Sequence, residues 1–210
     1  MSKLRIGLLV SGRGSVLKTL LRVCGDGSLP GEVVAVASNR ECPALGLARE
    51  AGVGRVSSYP INDYASRAER DAHIAADLSA SDVNFVVVGG YSEALEPSFF
   101  DATPCDIISM YPSLLPAFGE LDEAIGPALD AGVKTIGVTI HFRTPLSVSA
   151  GPIIAQEPLP VDVDDTVESV TARVIALESK FLPRALRAFS EGRVVRTGSR
   201  VQLIEPTTDA

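Results

Sequence analysis

The sequence predicts an α/β domain built on a mainly parallel sheet with helices on both faces. Three observations carry that reading. Apolar runs of strand length alternate along the chain with segments of helical periodicity. Glycine-bearing turns punctuate the alternation. The 210 residues suit one domain spanning 1–210, and 46% are hydrophobic, enough to fill a sizeable core. Such alternation makes a parallel sheet covered by helices the economical way to bury both sheet faces.

The elements follow in order. Residues 4–10 read as a buried strand and 14–24 as the helix after it. Residues 32–38 are β-branched and apolar, a second strand, and 43–51 a second helix. A longer helix is expected over 63–80, with Asp63 as its N-cap. Residues 84–90 hold the clearest central strand, Phe-Val-Val-Val before Gly-Gly. Another short strand covers 106–110. A helix follows over 122–131, where Asp122 and Glu123 suit the positive end of the helix dipole and Gly126-Pro127 suggests an interruption. Residues 134–142 and 153–160 are strands. In the last helix, Asp165 and Glu168 have capping-box spacing. Val170, Val174, Leu177, Phe181 and Ala185 then make one apolar face, with Pro183 as a candidate kink. Residues 193–204 look like a hairpin or edge strand, with fraying from Pro206. No internal repeat or low-complexity segment is present.

Bulk properties narrow the partners. The net charge is −7 and no basic run stands out, which argues against nucleic acid. The longest apolar stretches are too short to span a bilayer, so no membrane role is expected. The N-terminus lacks the charged start, long apolar run and cleavage site of a signal peptide, which points to the cytoplasm. Cys24, Cys42 and Cys105 are odd in number and form no CxxC pair, and only His73 and His141 could add imidazoles. Buried free thiols without a metal site are expected. A small-molecule substrate is the expected partner. The apolar helix face leaves a homodimer open.

In open α/β sheets ligands bind at the carboxyl ends of strands, so the segments after Val10, Gly89, Met110 and Phe142 are the places to search. The first is Ser11-Gly12-Arg13-Gly14-Ser15, between a strand and a helix. Glycines there let backbone N–H groups approach a phosphate or carboxylate. Arg13 either adds charge or is solvated, and the loop is alternatively a tight turn without ligand. Val16 and Leu17 follow, so the dinucleotide fingerprint is incomplete. The second is Tyr111-Pro112-Ser113-Leu114-Leu115-Pro116-Ala117-Phe118. Beside it stand Gly89-Gly90-Tyr91-Ser92-Glu93-Ala94-Leu95, Ile140-His141-Phe142 and Ala150-Gly151-Pro152-Ile153-Ile154-Ala155-Gln156. No nucleophile elbow surrounds Ser113.

Together these segments resemble the glycinamide ribonucleotide formyltransferases of purine synthesis, from about Leu4 to Val194. Pro-Ser-Leu-Leu-Pro and Gly-Pro-Ile-Ile-Ala-Gln are the specific signals. Asp165-Thr166 with Arg173-Val174 and Glu178 resembles the family's closing helix. The resemblance implies the formyltransferase, Rossmann-like fold and formyl-tetrahydrofolate as donor. It also implies a phosphate-binding half over 1–100, with Gly12, Arg13, Gly14, Ser15 and Glu178 on the substrate. A catalytic and folate-type half covers 101–190, with a tail over 191–210. Tyr91, Ser92, Leu95 and Val148 fall at the folate-type pocket.

The family's catalytic positions are changed. Its Asn and His positions hold Ser109 and Tyr111, and its Asp position holds Ser149. Glu93 replaces an Arg, the loop over 143–148 is one residue longer, and Glu120, Leu121, Asp122 and Glu123 stand where a His-rich segment is expected. Formyl transfer builds negative charge on the formyl oxygen and must remove a proton from the attacking amine. Ser109 and Tyr111 can donate hydrogen bonds. A phenol with a pKa near ~10 accepts protons poorly at neutral pH, and Ser149 is no base without a partner. Losing either function typically costs roughly 10²–10⁴-fold, without simple additivity. His141 is a structural imidazole or a recruited base. Tyr111 is a phenolic donor or a ring filling space. Glu93 is an acid/base, a contact to a cationic substrate, or solvent-facing. Two functions stay open: an enzyme with altered group transfer and weak or no ordinary formylation, or a non-catalytic binder of a metabolite or partner.

Overall fold

The computed structural model describes residues 3–119 and 123–204. Strand β1 (Leu4–Val10) runs through the middle of a seven-stranded sheet, and all its residues except Arg5 are buried. Helix α1 (Ser15–Gly25) returns the chain to β2 (Gly31–Ser38), and α2 (Pro43–Glu50) leads to a short edge strand, β3 (Arg55–Ser58). Helix α3 (Arg67–Ser79) then crosses to β4 (Phe85–Val88), on the other side of β1. A short α4 (Pro97–Asp101) precedes β5 (Asp106–Tyr111), and α5 (Ile125–Asp130) precedes β6 (Thr135–Phe142). Strand β7 (Ile153–Pro160), the long α6 (Val167–Ser190) and a hairpin of β8 (Val194–Thr197) and β9 (Arg200–Leu203) complete the chain.

The sheet order is β3-β2-β1-β4-β5-β6-β7. The first five strands are parallel, and β6 and β7 are antiparallel. Because β1 has β2 on one side and β4 on the other, the strand order reverses beside it. That reversal leaves a crevice at the strand carboxyl ends, where open sheets bind ligands. Two apolar cores flank the sheet. Leu17, Leu20, Val170, Val174 and Leu186 cover one face, and Ile74, Leu78, Leu95 and Phe99 the other. Each helix buries one stripe because its apolar residues recur at spacings of three and four.

Several expectations need correction. Asp63 caps nothing: residues Ile61–Asp63 form a single 3₁₀ turn, and α3 starts later. Ser66 is the N-cap, its hydroxyl accepting the Glu69 N–H at 3.1 Å. The serine sits nearer the first residue of the apolar stripe, and its short hydroxyl reaches the open N–H. In α6 the capping box belongs to Thr166 and Ser169, while Asp165 accepts from Ser169 and Arg173. Pro183 lies inside α6 without ending it. Gly126 and Pro127 fall in the first turn of α5, where a missing N–H costs little. The expected start at Asp122 lies outside the described residues, as do Glu120, Leu121 and the tail from Pro206. Strand β3 and helix α4 lacked a sequence signal, being short. The three cysteines are free thiols, each only partly buried rather than buried.

Candidate active site

Three loops meet where the strand order reverses. The first leaves β1 at Ser11 and enters α1 at Ser15. Gly14 caps the helix at φ 79°, and a Cβ there would stand 2.9 Å from that of Ala44. Both the left-handed backbone and the close approach call for glycine. No side chain caps α1, so its first-turn N–H groups remain available to an anion. Arg13 and Ser15 are exposed at this terminus. Glu178 of α6 stands beside Ser15, Thr19 and Met110. Burial pushes its carboxyl up to about 7.

A polar network ties this loop to the second one, after β4. The Ser11 hydroxyl donates to Asn39 Oδ1 at 2.7 Å and accepts the Ser92 N–H at 3.0 Å. Asn39 Nδ2 donates to the Glu93 carboxylate. Glu93 also lies 2.8 Å from Arg70 Nη1 and 3.1 Å from Arg67 Nη2. Burial would raise this carboxyl, but the Asn39 bond and the two guanidinium groups outweigh it and hold it below the usual range.

A cleft of about 520 Å³ opens between the second loop and the third, after β5. Gly90, Tyr91, Ser92, Ser109, Met110, Tyr111, Pro112, Glu123, Arg143 and Val148 line it. The Ser109 hydroxyl donates to the Val88 carbonyl at 3.3 Å. The Tyr111 hydroxyl donates to the Phe118 carbonyl at 2.8 Å, and its ring packs with Leu115 and Ala124. Ser149 is buried against Gly119, whose added Cβ would stand 3.3 Å from its Oγ.

His141 pairs with Ser109 across the β5–β6 ladder and is fully buried. Its Nδ1 lies 2.9 Å from the Phe142 carbonyl, which only accepts, so Nδ1 carries the proton. Nε2 is then the acceptor of the neutral ring, and it has no partner among the described residues. Burial lowers the imidazole pKa; the Phe142 and Ala150 carbonyls oppose that shift and the Arg143 charge reinforces it.

The fold therefore brings Ser109, Tyr111, Tyr91, Ser92 and Val148 to one cleft. Gly12, Arg13, Gly14 and Ser15 lie on the adjoining loop, and Met110 borders both the cleft and the Glu178 pocket. His141, Ser149 and Glu93 stand around the cleft rather than on its lining. Leu95 is not on the lining: its side chain is fully buried in the core with Phe99. Strand β6 is antiparallel to β5, so its carboxyl end is not on the shared edge; Arg143 and Val148 still reach the cleft.

Sequence reasoning missed Arg143, Arg70 and Asn39. A charged residue directly after the buried run Ile136–Phe142 was the available signal for Arg143. Arg70 and Asp71 gave none, since adjacent charges on a helix normally face solvent.

An open sheet with a glycine-bearing helix terminus beside a polar cleft defines a small-molecule site of the α/β class. The chain belongs to the formyl transferase family, whose model matches residues 4–186. It is 34% identical over 205 residues to the phosphoribosylglycinamide formyltransferase of Mycobacterium tuberculosis, covering 95% of this chain and 94% of that one. The Haemophilus influenzae enzyme of the same name is 31% identical over 192 residues, covering 90% and 89%. Among solved structures, glycinamide ribonucleotide transformylase 1 from Symbiobacterium toebii superposes with a TM-score of 0.91 at 41% identity, covering 97% of this chain and 95% of that one.

The family resemblance implies formyl-tetrahydrofolate as donor, and the cleft is large enough for its pteridine ring. Its amino and ring N–H groups need acceptors in the wall, and Glu123 on the lining carries one. The Glu93 and Val148 carbonyls accept from Arg143, and each keeps a second lone pair. No group of His, Cys, Asp or Glu among the described residues could hold a metal ion.

Proposed function

We propose that this chain is a formyltransferase-family enzyme with altered group-transfer chemistry on a small anionic or amine substrate, and with weak or no ordinary formylation. The observation that supports this reading is a cleft at the carboxyl ends of the strands lined by Ser109 and Tyr111. These side chains can donate to a developing oxyanion once they release the Val88 and Phe118 carbonyls. Neither accepts a proton readily at neutral pH. His141, neutral and in register with Ser109, serves as the proton acceptor in this reading, and Ser149 is buried on the loop after β6. Glu93 acts here as the anchor of an arginine cluster rather than as a free acid.

In this reading residues 1–100 supply the anion site, with Gly12, Arg13, Gly14 and Ser15 at the α1 terminus and Glu178 facing them. Residues 101–190 frame the reaction, and 191–210 form a tail. A non-catalytic binder is the second reading. It is favoured by the Tyr111 hydroxyl, whose single proton is already given to the Phe118 carbonyl.

The test is tetrahydrofolate release from formyl-tetrahydrofolate with glycinamide ribonucleotide. The rate is expected to lie at least roughly 10²–10⁴-fold below that of relatives keeping Asn, His and Asp. A comparable rate would sink the proposal. Tyr111→Phe, Ser149→Ala and Glu93→Gln should each change an activity or affinity. A panel of amine and carboxylate substrates separates the readings: conversion of one supports the enzyme, and tight binding without conversion of any supports the binder.

A further inference from the structure

Arg143 is 6% exposed and lines the cleft, yet it forms no ion pair with any described residue. Its Nη1 and Nη2 donate to the backbone carbonyls of Val148 and Glu93, while Nε has no partner. The Tyr91 hydroxyl, in a residue 7% exposed, also lacks a partner and lines the same cleft. Burial pushes the guanidinium down to about 10, so it stays charged at neutral pH.

No acid among the described residues pairs with it. The Glu93 carboxylate is committed to Arg67 and Arg70, and the Asp71 carboxylate to Arg70 and the Glu96 N–H. Among the described residues, Arg67, Arg70 and Arg143 against Asp71 and Glu93 leave one positive charge without a paired counter-ion. Glu123 borders the cleft, but it is exposed and forms no ion pair with a described residue. A buried unpaired cation beside an unpaired hydroxyl is strongly unfavourable unless a ligand completes both.

We propose that Arg143 and the Tyr91 hydroxyl form a carboxylate-binding subsite, so that the substrate of this cleft carries a carboxylate. One guanidinium edge and one hydroxyl present a few donors around a single charge. A planar monoanion satisfies them, with one oxygen on Nε and the other on the phenol. A dianionic phosphate would bring more charge than the subsite compensates. The α1 terminus, with its row of free N–H groups, is the better phosphate site. This assignment rests on the reading above that the cleft is the substrate site.

The test is a sodium acetate titration of the full chain at constant ionic strength and near neutral pH. The probe is the Arg143 Nε–H resonance, assigned by its loss in Arg143→Lys. A saturable shift is expected, weakened roughly tenfold in Tyr91→Phe. Tyr91→Phe removes only an unpartnered hydroxyl, so it should fold even if the Arg143 variant does not. A shift that never saturates, an affinity unchanged by Tyr91→Phe, or tighter binding of inorganic phosphate at this resonance overturns the subsite. The outcome is independent of turnover. Acetate binding without conversion of any substrate supports the subsite while removing the enzyme reading. Conversion without acetate saturation does the reverse.

Discussion

Arg70 Nη1 and the Glu93 carboxylate stand 2.8 Å apart, with the Arg70 side chain fully buried. On its other side Arg70 contacts Asp71 at 2.8 Å. One buried cation thus fixes two carboxylates, and through Glu93 and Asn39 it braces Ser11 and the glycine loop. Arg70→Met should destabilise the fold by about 3–5 kcal/mol, because it leaves buried Asp71 without its cation. Glu93→Gln should cost about 1–3 kcal/mol. Urea unfolding monitored by circular dichroism checks both.

The same cluster sets an acid limit. The Glu93 carboxyl is depressed from its ordinary value of 4.5. Its contribution is therefore present above that value and is lost as pH falls through the lower folded one. Wild-type stability should drop over that acid window, and Glu93→Gln should drop less. Parallel acid slopes for the two proteins would remove Glu93 as the cause.

Glu178 behaves oppositely. Its carboxyl is raised from 4.5 to about 7 by burial. Below pH 4.5 both folded and unfolded chains hold the proton, so nothing is lost. As pH rises from there to about 7 the unfolded chain ionises first, and stability falls. Glu178→Gln should match wild type in acid and exceed it above neutrality by about 1–3 kcal/mol. Thermal melts at both extremes test this. An equal difference at the two ends would count against a raised carboxyl.

Ser66→Ala removes the acceptor for the Glu69 N–H and should cost about 1 kcal/mol. Asp63→Ala should cost little by comparison, since Asp63 belongs to the preceding 3₁₀ turn.

The contrast between Ser66 and Asp63 marks what was legible in the sequence. The strands β1, β2 and β7 emerge within a residue of their observed limits, and α6 through its start and its apolar face, because burial of an apolar run or stripe leaves one solution. Caps do not, since Asp63, Ser66, Asp165 and Thr166 are all competent and the choice depends on where the chain turns. The cleft residues Ser109 and Tyr111 were legible through the family motif around Pro112. Arg143 was not, because its meaning arises from what it lacks in three dimensions: an ion pair with any described residue. Arg70 was hidden for the opposite reason, since its partner Glu93 is distant in sequence.

Gly151 should tolerate no side chain. Its φ is +133°, and a Cβ there would run into the Phe142 carbonyl. Gly151→Ala must then move the loop that carries Ser149, at a cost of about 3 kcal/mol or more. A variant melting within a degree or two of wild type would contradict that packing.

His141 gives the sharpest test of the site's protonation. With Nδ1 donating to Phe142 and the ring fully buried, the neutral Nδ1–H tautomer is fixed. Its pKa is lowered from 6.5, chiefly by burial. In the unfolded chain the same ring takes a proton as pH falls past 6.5, while the folded ring does not. Stability associated with His141 is thus full above 6.5 and lost as pH falls toward the depressed folded value. Nitrogen-15 spectra of the imidazole should show the neutral Nδ1–H form and no titration through 6.5. A His141 signal that titrates at its ordinary value would mean the ring reaches solvent. Ser109 would then lose its neutral neighbour below neutral pH, and any rate that depends on His141 as proton acceptor should fall in step with the titration.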